Sequence, residues 1–349
     1  MGDIPRRAAR HLRDAAFVGL RAVGGFSRIA ASAWRRRRLL ILCYHGVSLR
    51  DEHEWHPELF VTTVFLRRRF EILRDRGYTV WPLGEAVRSL RSGTLPPRSV
   101  VLTFDDGFYN FLAAAVPLLE EFGYPATNYV STYYSVRQRP ILGLILRYLL
   151  WRARDQQFSS GALPGQNGKI DLQDPKERDK LSAELFVEAE KLSDDRAAQF
   201  AWVGAVAKRL GVDWDDLMES RLFHLLTPEE LAEVARRGFD VQLHTHLHRT
   251  PRDKSEFCQE ILVNRQIIEK HAGRPATHFC YPSGDVDMLF LPWLRELEVE
   301  TATTGVSRLA CAEDDPLLLP RFIDTIMQSE AVFEGWISGA RDILRRRER

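Results

Sequence analysis

The sequence predicts an α/β fold built on a parallel sheet, open or closed into a barrel. Two observations carry this. Short apolar runs alternate with stretches of helical spacing along most of the chain, the pattern of repeated β-α units. Two of those runs end in reactive residue types, at Asp105-Asp106-Gly107 and at His244-Thr245-His246-Leu247-His248. The carboxyl ends of parallel strands are where such folds place their chemistry.

The elements follow in order. Leu39 to Tyr44 reads as a buried strand, ending at His45-Gly46. Phe60 to Arg76 has helical spacing, with Phe60, Val64, Leu66, Phe70 and Leu73 apolar and Gly77 as C-cap. Tyr78 to Trp81 is a strand, Leu83 to Arg91 a helix, and Ser99 to Phe104 a third strand. Leu112 to Phe122 reads as a helix and Ala126 to Val130 as a strand. Residues 136–226 break the rhythm and read as a mostly helical insertion, with helical stretches around Leu181 to Leu192 and Phe200 to Leu210. Alternation resumes with helix Pro228 to Arg237, strand Asp240 to Leu243, helix Lys254 to His271 and strand His278 to Tyr281. Helix Leu289 to Leu297, strand Thr301 to Thr304 and the segment Arg321 to Thr325 complete the pattern.

The 349 residues are 45% hydrophobic and 28% charged, an ordinary globular composition that argues against disorder. A net charge of +1 conceals an asymmetry. Residues 1–38 hold ten Arg, no Lys and two acids, a net +8, so the rest carries −7. An acidic body argues against a nucleic-acid partner. At 100° per residue, Arg6, Arg7, Arg10, Arg13 and Arg21 gather on one side of a helix and Ala8, Leu12, Ala15, Val18 and Val23 on the other. That is the pattern of an interfacial helix on anionic lipid, to which Arg35 to Arg38 would add. Arg21 and Arg28 interrupt the one candidate signal segment, and the longest apolar runs are too short to cross a bilayer. The expected location is cytoplasmic, peripheral at the inner face of the membrane. The four cysteines form no C-x-x-C motif.

Neighbouring carboxylates repel, so Asp105-Asp106 after an apolar strand needs a reason: either a cation that takes one and leaves the other as a base, or a strand-end turn in which Asp caps a helix. His244 and His248, at i and i+4, share one face of a helical turn and can offer two imidazoles to one metal, while His246 points elsewhere. Phe279-Cys280-Tyr281-Pro282-Ser283-Gly284 is a strand running into a tight turn with backbone N–H groups free for a ligand.

Together these segments resemble the polysaccharide deacetylases of the NodB-homology type, carbohydrate esterase family four. Thr103-Phe104-Asp105-Asp106-Gly107 matches the first motif, and His244, Thr245 and His248 match its His-Ser/Thr-x-x-His motif. Tyr44-His45-Gly46, Phe279 to Gly284, Thr301 to Gly305 and Leu319-Pro320-Arg321-Phe322 are similar to segments of one bacterial subgroup. The resemblance implies a distorted (β/α)7 barrel over residues 39–325, carrying the insertion, with the arm 1–38 before it and a C-terminal helix and basic tail, 326–349, after it. It implies Asp106, His244 and His248 as ligands of Zn2+, with Co2+, Ni2+ and Fe2+ as alternatives. It implies Asp105 as the general base and the backbone N–H of Ser283 as an oxyanion donor.

The chain also departs from the family pattern. Cys280 stands where many relatives have an Arg that pairs with the base, and Arg321 is the candidate substitute. No His follows His278, so the late His that acts as general acid in relatives is absent, and His45 is the candidate in its place. Arg249 replaces a Pro that often follows the second motif. Tyr148, Trp151, Trp202 and Trp214 of the insertion are candidates for stacking on sugar rings or for core. The expected function is metal-dependent removal of N-acetyl groups from an N-acetylhexosamine glycan. The alternatives are hydrolysis of another amide, such as a cyclic imide or ureide, and a non-catalytic glycan-binding barrel.

Overall fold

The computed structural model describes residues 17, 19, 24–158, 170–192 and 195–347. Nine strands form one sheet: β1 (Arg38–Tyr44), β2 (Thr79–Val80), β3 (Ser99–Phe104), β4 (Thr127–Val130), β5 (Asp240–Leu243), β6 (His278–Cys280), β7 (Thr301–Thr303), β8 (Ala310–Cys311) and β9 (Phe322–Ile323). The order is β7-β6-β5-β4-β3-β1, with β8 and β9 sharing the outer edge of β1 and β2 beside the start of β3. All pairs are parallel except β1 with β8. The segment from Leu319 to Asp324 links the two ends of this curled sheet. Leu319 N donates to Ala302 O (2.9 Å), and Asp324 N donates to Cys43 O (3.1 Å). The result is the distorted (β/α) barrel that the sequence predicts.

β3 is buried along its whole length, and β1 from its second residue on, as expected of strands covered on both faces. Each such Leu, Ile or Val stabilises the fold by about 1.5–3 kcal/mol through burial. Some boundaries differ from the sequence reading. Phe60–Val61 is a strand paired with Gly46–Val47, and the helix begins at Thr63, where the Thr62 hydroxyl caps Phe65 N (3.0 Å). The helix expected from Leu112 opens as a π-turn over Phe111–Ala115 and becomes α-helical at Val116. Pro117 has no N–H to give Ala113, which loosens the ladder there.

The insertion is mostly helical: Leu142–Arg152, Pro175–Glu190, Arg196–Arg209 and Trp214–Ser220, with a small hairpin pairing Gln157–Phe158 and Ile170–Asp171. It has its own apolar cluster, which Phe60 and Phe108 of the barrel join. Its aromatic side chains are spent on packing. Tyr148 and Trp151 stack at 5.8 Å, Arg154 covers Trp151 at 4.1 Å, and Trp214 lies edge-on to Phe200.

The expected arm is part of the body from Gly24 on. Helices Gly25–Ala30 and Ala33–Arg36 lie at the amino end of β1, beside the C-terminal helix Glu330–Ser338. Arg35 is wholly buried and donates to Ile337 O (3.0 Å), Arg38 O (2.6 Å) and Ser99 O (3.3 Å), so it is a structural pin and not a surface charge. Of the amphipathic helix expected before it, only Phe17 and Gly19 fall within the described residues. No helix among the described residues is long and apolar enough to cross a membrane. Helices Glu330–Ser338 and Ala340–Arg347 occupy the C-terminal segment.

Candidate active site

At the carboxyl ends of the strands lies a cleft of about 680 Å3, lined by His45, Asp105, Asp106, His244, His248, Ser283 and Arg321, among others. All seven residues singled out from the sequence therefore meet in one place.

The two aspartates point apart because the chain turns sharply between them and Gly107. Asp106 has φ 72° and Gly107 φ 81°, both left-handed. Asp105, at the end of β3, turns toward Arg321: Nη1 donates to Oδ1 and Nη2 to Oδ2, each at 2.7 Å. Arg321 Nη1 also donates to Thr103 Oγ1 (3.1 Å), and its Nε donates to Thr304 O (3.2 Å). Burial works to raise the Asp105 carboxyl, but the charge and hydrogen bonds of Arg321 outweigh it and hold the group well below the ordinary carboxylate range. Asp105 is thus an anion despite being 4% exposed.

Two thiols complete its surroundings. Cys43 and Cys280 each donate to Asp105 Oδ2, at 3.5 and 3.4 Å. Burial raises both thiols far above their usual range, so they are protonated donors and not nucleophiles. Neither thiol stands out in the sequence as a partner of Asp105, because Cys43 and Cys280 are 62 and 175 positions from it. His45 Nε2 stands 3.9 Å from Asp105 Oδ2.

Asp106 faces the histidines. Its Oδ1 is 3.2 Å from Nε2 of both His244 and His248. The three ligand atoms lie within 4.8 Å of one another. His244 Nδ1 is 2.8 Å from Cys280 O, and a carbonyl can only accept, so Nδ1 carries the proton and Nε2 presents its lone pair. One carboxylate and two imidazoles converging with room beside them fit a divalent cation with an open coordination position.

The histidine segment is not a helical turn. Thr245 and His248 are left-handed, at φ 62° and 56°, and the chain loops. The loop is held from outside by the helix Lys254–Ala272. Asn264 Oδ1 accepts from His244 N (2.9 Å), while Asn264 Nδ2 donates to Val130 O (2.9 Å). Glu260 accepts from Leu247 N (2.7 Å) and Arg249 Nε (2.7 Å), which gives Arg249 its role. The signal for both was present in the sequence. Asn264 falls in the buried stripe of Phe257, Ile261 and Ile268, and a polar residue there needs a partner. His246 turns away to Thr132 Oγ1 (3.0 Å), as expected.

Ser283 lies at the lip of the cleft with φ 55°, in the turn closed by Gly284 N to Tyr281 O (3.1 Å). Of eight described non-glycine residues with left-handed φ, Asp106, Thr245, His248 and Ser283 belong to this site. Such conformations cost about 1–3 kcal/mol each, and their concentration here marks geometry kept for function.

Solved structures of deacetylases share the fold, three of them as follows. The deacetylase PplD of Streptococcus pyogenes in complex with acetate aligns over 86% of this chain and 98% of its own at a TM-score of 0.57 and 18% identity. IcaB of Ammonifex degensii aligns over 86% and 97% at 0.55 and 17%. The BpsB deacetylase domain of Bordetella bronchiseptica aligns over 82% and 95% at 0.50 and 17%. Among curated proteins, the poly-beta-1,6-N-acetyl-D-glucosamine N-deacetylase of Escherichia coli K12 is 34% identical over 101 residues, 29% of this chain; the chain spans 15% of that relative's length. The polysaccharide deacetylase family model matches residues 92–156 and 178–302, over half of the sequence, and the chain belongs to that family.

Proposed function

We propose that this protein hydrolyses the N-acetyl groups of N-acetylhexosamine units in a glycan, with a divalent cation held by Asp106, His244 and His248. The observation that carries this is the division of labour between adjacent carboxylates: Asp106 meets two imidazoles at 3.2 Å, and Asp105 meets Arg321 at 2.7 Å. The substrate class is supported by the printed activity of the Escherichia coli relative. Zn2+ suits the ligand set best, with Co2+, Ni2+ and Fe2+ as alternatives.

The bound cation would supply Lewis acidity and bring the pKa of a water down to about 7. That complements Asp105, which Arg321 keeps ionised and which is therefore a weak base. Asp105 takes the proton of the attacking water. The backbone N–H of Ser283 faces the oxyanion, and His45 gives a proton to the departing amine. The test is acetate release from N-acetylhexosamine oligomers by the Zn2+- or Co2+-loaded chain. Release is expected; none across a broad glycan panel, with metal bound, would refute the reading.

We further place the protein on the cytoplasmic side, against an anionic membrane surface. The support is charge: Arg36, Arg37 and Arg91 line a groove at the amino end of β1, the end away from the cleft, and nine Arg besides the buried Arg35 fall within residues 1–38. Flotation with anionic vesicles should exceed that with neutral ones and fall for the variant Arg36→Gln/Arg37→Gln/Arg91→Gln. Equal flotation of the two chains would remove the membrane from the account.

A further inference from the structure

A second pocket, of about 550 Å3, opens between the barrel and the insertion. Its walls come from four separate places: Glu54 and Trp55 of the helical turn Glu52–Trp55 with Glu58 after it, Arg147 and Trp151 from helix Leu142–Arg152, Asp179 from the first turns of helix Pro175–Glu190, and Met327. Its volume lies in the range of ligand sites.

Arg178 at its rim is held by the carbonyls of Leu172 and Gln173, but the other charged groups of the lining are uncommitted. Among the described residues, Glu54, Glu58, Arg147 and Asp179 have no side-chain hydrogen bond or ion pair. The neighbouring charges do have them. Arg152, five residues after Arg147 on the same helix, pairs with Asp51, and Arg50 pairs with Asp216 at 2.8 Å. Carboxylates and a guanidinium fork held around an open space can donate to and accept from the hydroxyls of a sugar. Trp151 is stacked on Tyr148 and covered by Arg154, and Trp55 packs against Tyr148, Phe60 and Phe223, so recognition here is by hydrogen bonding along ring edges and not by stacking on a platform.

The pocket adjoins the catalytic cleft. Leu59 lines the cleft while Pro57 and Glu58 line the pocket; likewise Ile323 lines the cleft and Met327 the pocket. His56 stands at the junction, where His45 on one side and Arg147 and Glu58 on the other all act on its ring.

We propose that this pocket is a distal subsite for a further sugar of the same glycan strand whose N-acetylated unit occupies the cleft. It rests on the deacetylase reading. The insertion, which supplies none of Asp106, His244 and His248, thereby makes the enzyme a reader of chain length. Interactions with a remote unit raise kcat/KM for long substrates without touching the reacting atoms.

The test uses the full metal-loaded chain, N-acetylhexosamine oligomers of two to six units, and the double variant Glu58→Ala/Arg147→Ala. For the parent, kcat/KM should rise with length by about ten-fold, the value of one or two good hydrogen bonds. The double variant should lose most of that rise and keep the rate on the dimer. An unchanged length dependence, or an equal fall at every length, would overturn the subsite. Binding separates this from the activity itself. Calorimetry on the Asp105→Asn chain should give tighter binding of the hexamer than of the dimer, and the added Glu58→Ala/Arg147→Ala pair should erase the difference. Equal binding of both oligomers to the Asp105→Asn chain would sink the subsite even if acetate release is seen. No acetate release with length-dependent binding intact would sink the catalytic reading alone.

Discussion

Arg321 grips Asp105 through two parallel hydrogen bonds of 2.7 Å across 216 residues of sequence, and both side chains are almost wholly buried. The grip is possible because Arg321 sits in the segment that links β7 to β1, so its guanidinium enters from the side of the cleft opposite β4. The fork both orients this carboxylate, the proposed base, and cancels its charge.

Arg321→Ala should therefore be costly twice over. It strands a buried carboxylate, which costs about 3–5 kcal/mol, and it frees the Asp105 side chain from its orientation. Arg321→Lys keeps the charge and loses the fork, so its effect on stability should be smaller. Urea denaturation checks this. In the Arg321→Ala background, Asp105→Asn should restore part of the stability, because it removes the unpaired charge. Stability that falls further in the double variant would contradict the account.

Much of this site was legible in the sequence because its parts are local. An apolar run such as Ser99 to Phe104 announces a buried strand, and Asp105-Asp106-Gly107 sits directly on its end. The backbone of the histidine loop was not legible. An i, i+4 spacing reads as a helical turn, yet Thr245 and His248 are left-handed, held by Asn264 and Glu260 from a helix further along the chain. Arg35 illustrates the same limit. It belongs to a run of four arginines that looks like a solvated face, and its burial depends on Ile337 O, 302 positions away. Information that arrives from so far away leaves no mark in a local pattern.

Asp105 and His248 should separate catalysis from metal binding. Asp105→Asn should abolish turnover and retain the metal, since Asp106, His244 and His248 are untouched. His248→Ala should lose the metal with little loss of stability, because His248 is 41% exposed and its ring meets Asp106 at 3.2 Å and His244 at 4.9 Å at the open side of the cleft. Metal content after dialysis, measured beside acetate release, checks both. Turnover surviving in Asp105→Asn would move the base elsewhere, with His45 the nearest substitute.

Gly107 should tolerate no side chain. A Cβ there would lie 2.6 Å from Val130 Cγ1, and φ of 81° disfavours any L-residue. Gly107→Ala should cost about 1–3 kcal/mol from overpacking, with the left-handed penalty in addition. The chain at Gly107 also accepts from Leu226 N (2.8 Å), so the shift should reach Asp106 and weaken metal binding. Adding Val130→Ala relieves the clash and leaves the backbone penalty, so the double variant should recover part of the stability and not all of it. Thermal melting of the three chains is the measurement.

His224 should make the joint between insertion and barrel sensitive to acid. It lies where the insertion returns: Tyr109 N donates to its carbonyl (2.9 Å), and the next residue, Leu225, bridges Phe108. Burial, aided by Arg221, lowers its imidazole from 6.5 to about 4, and its Nδ1 has no partner among the described residues. The folded chain therefore holds His224 neutral. Below pH 6.5 the unfolded chain takes up a proton that the folded chain refuses until about pH 4, so stability is complete above 6.5 and declines as pH falls between the two values. The loss is about 2 kcal/mol at pH 5. His224→Gln has no proton to gain, so urea midpoints taken between pH 7.5 and 4.5 should fall less for this variant than for the parent. Equal declines would mean that acid acts elsewhere. A steeper decline in the parent would tie the acid sensitivity to His224.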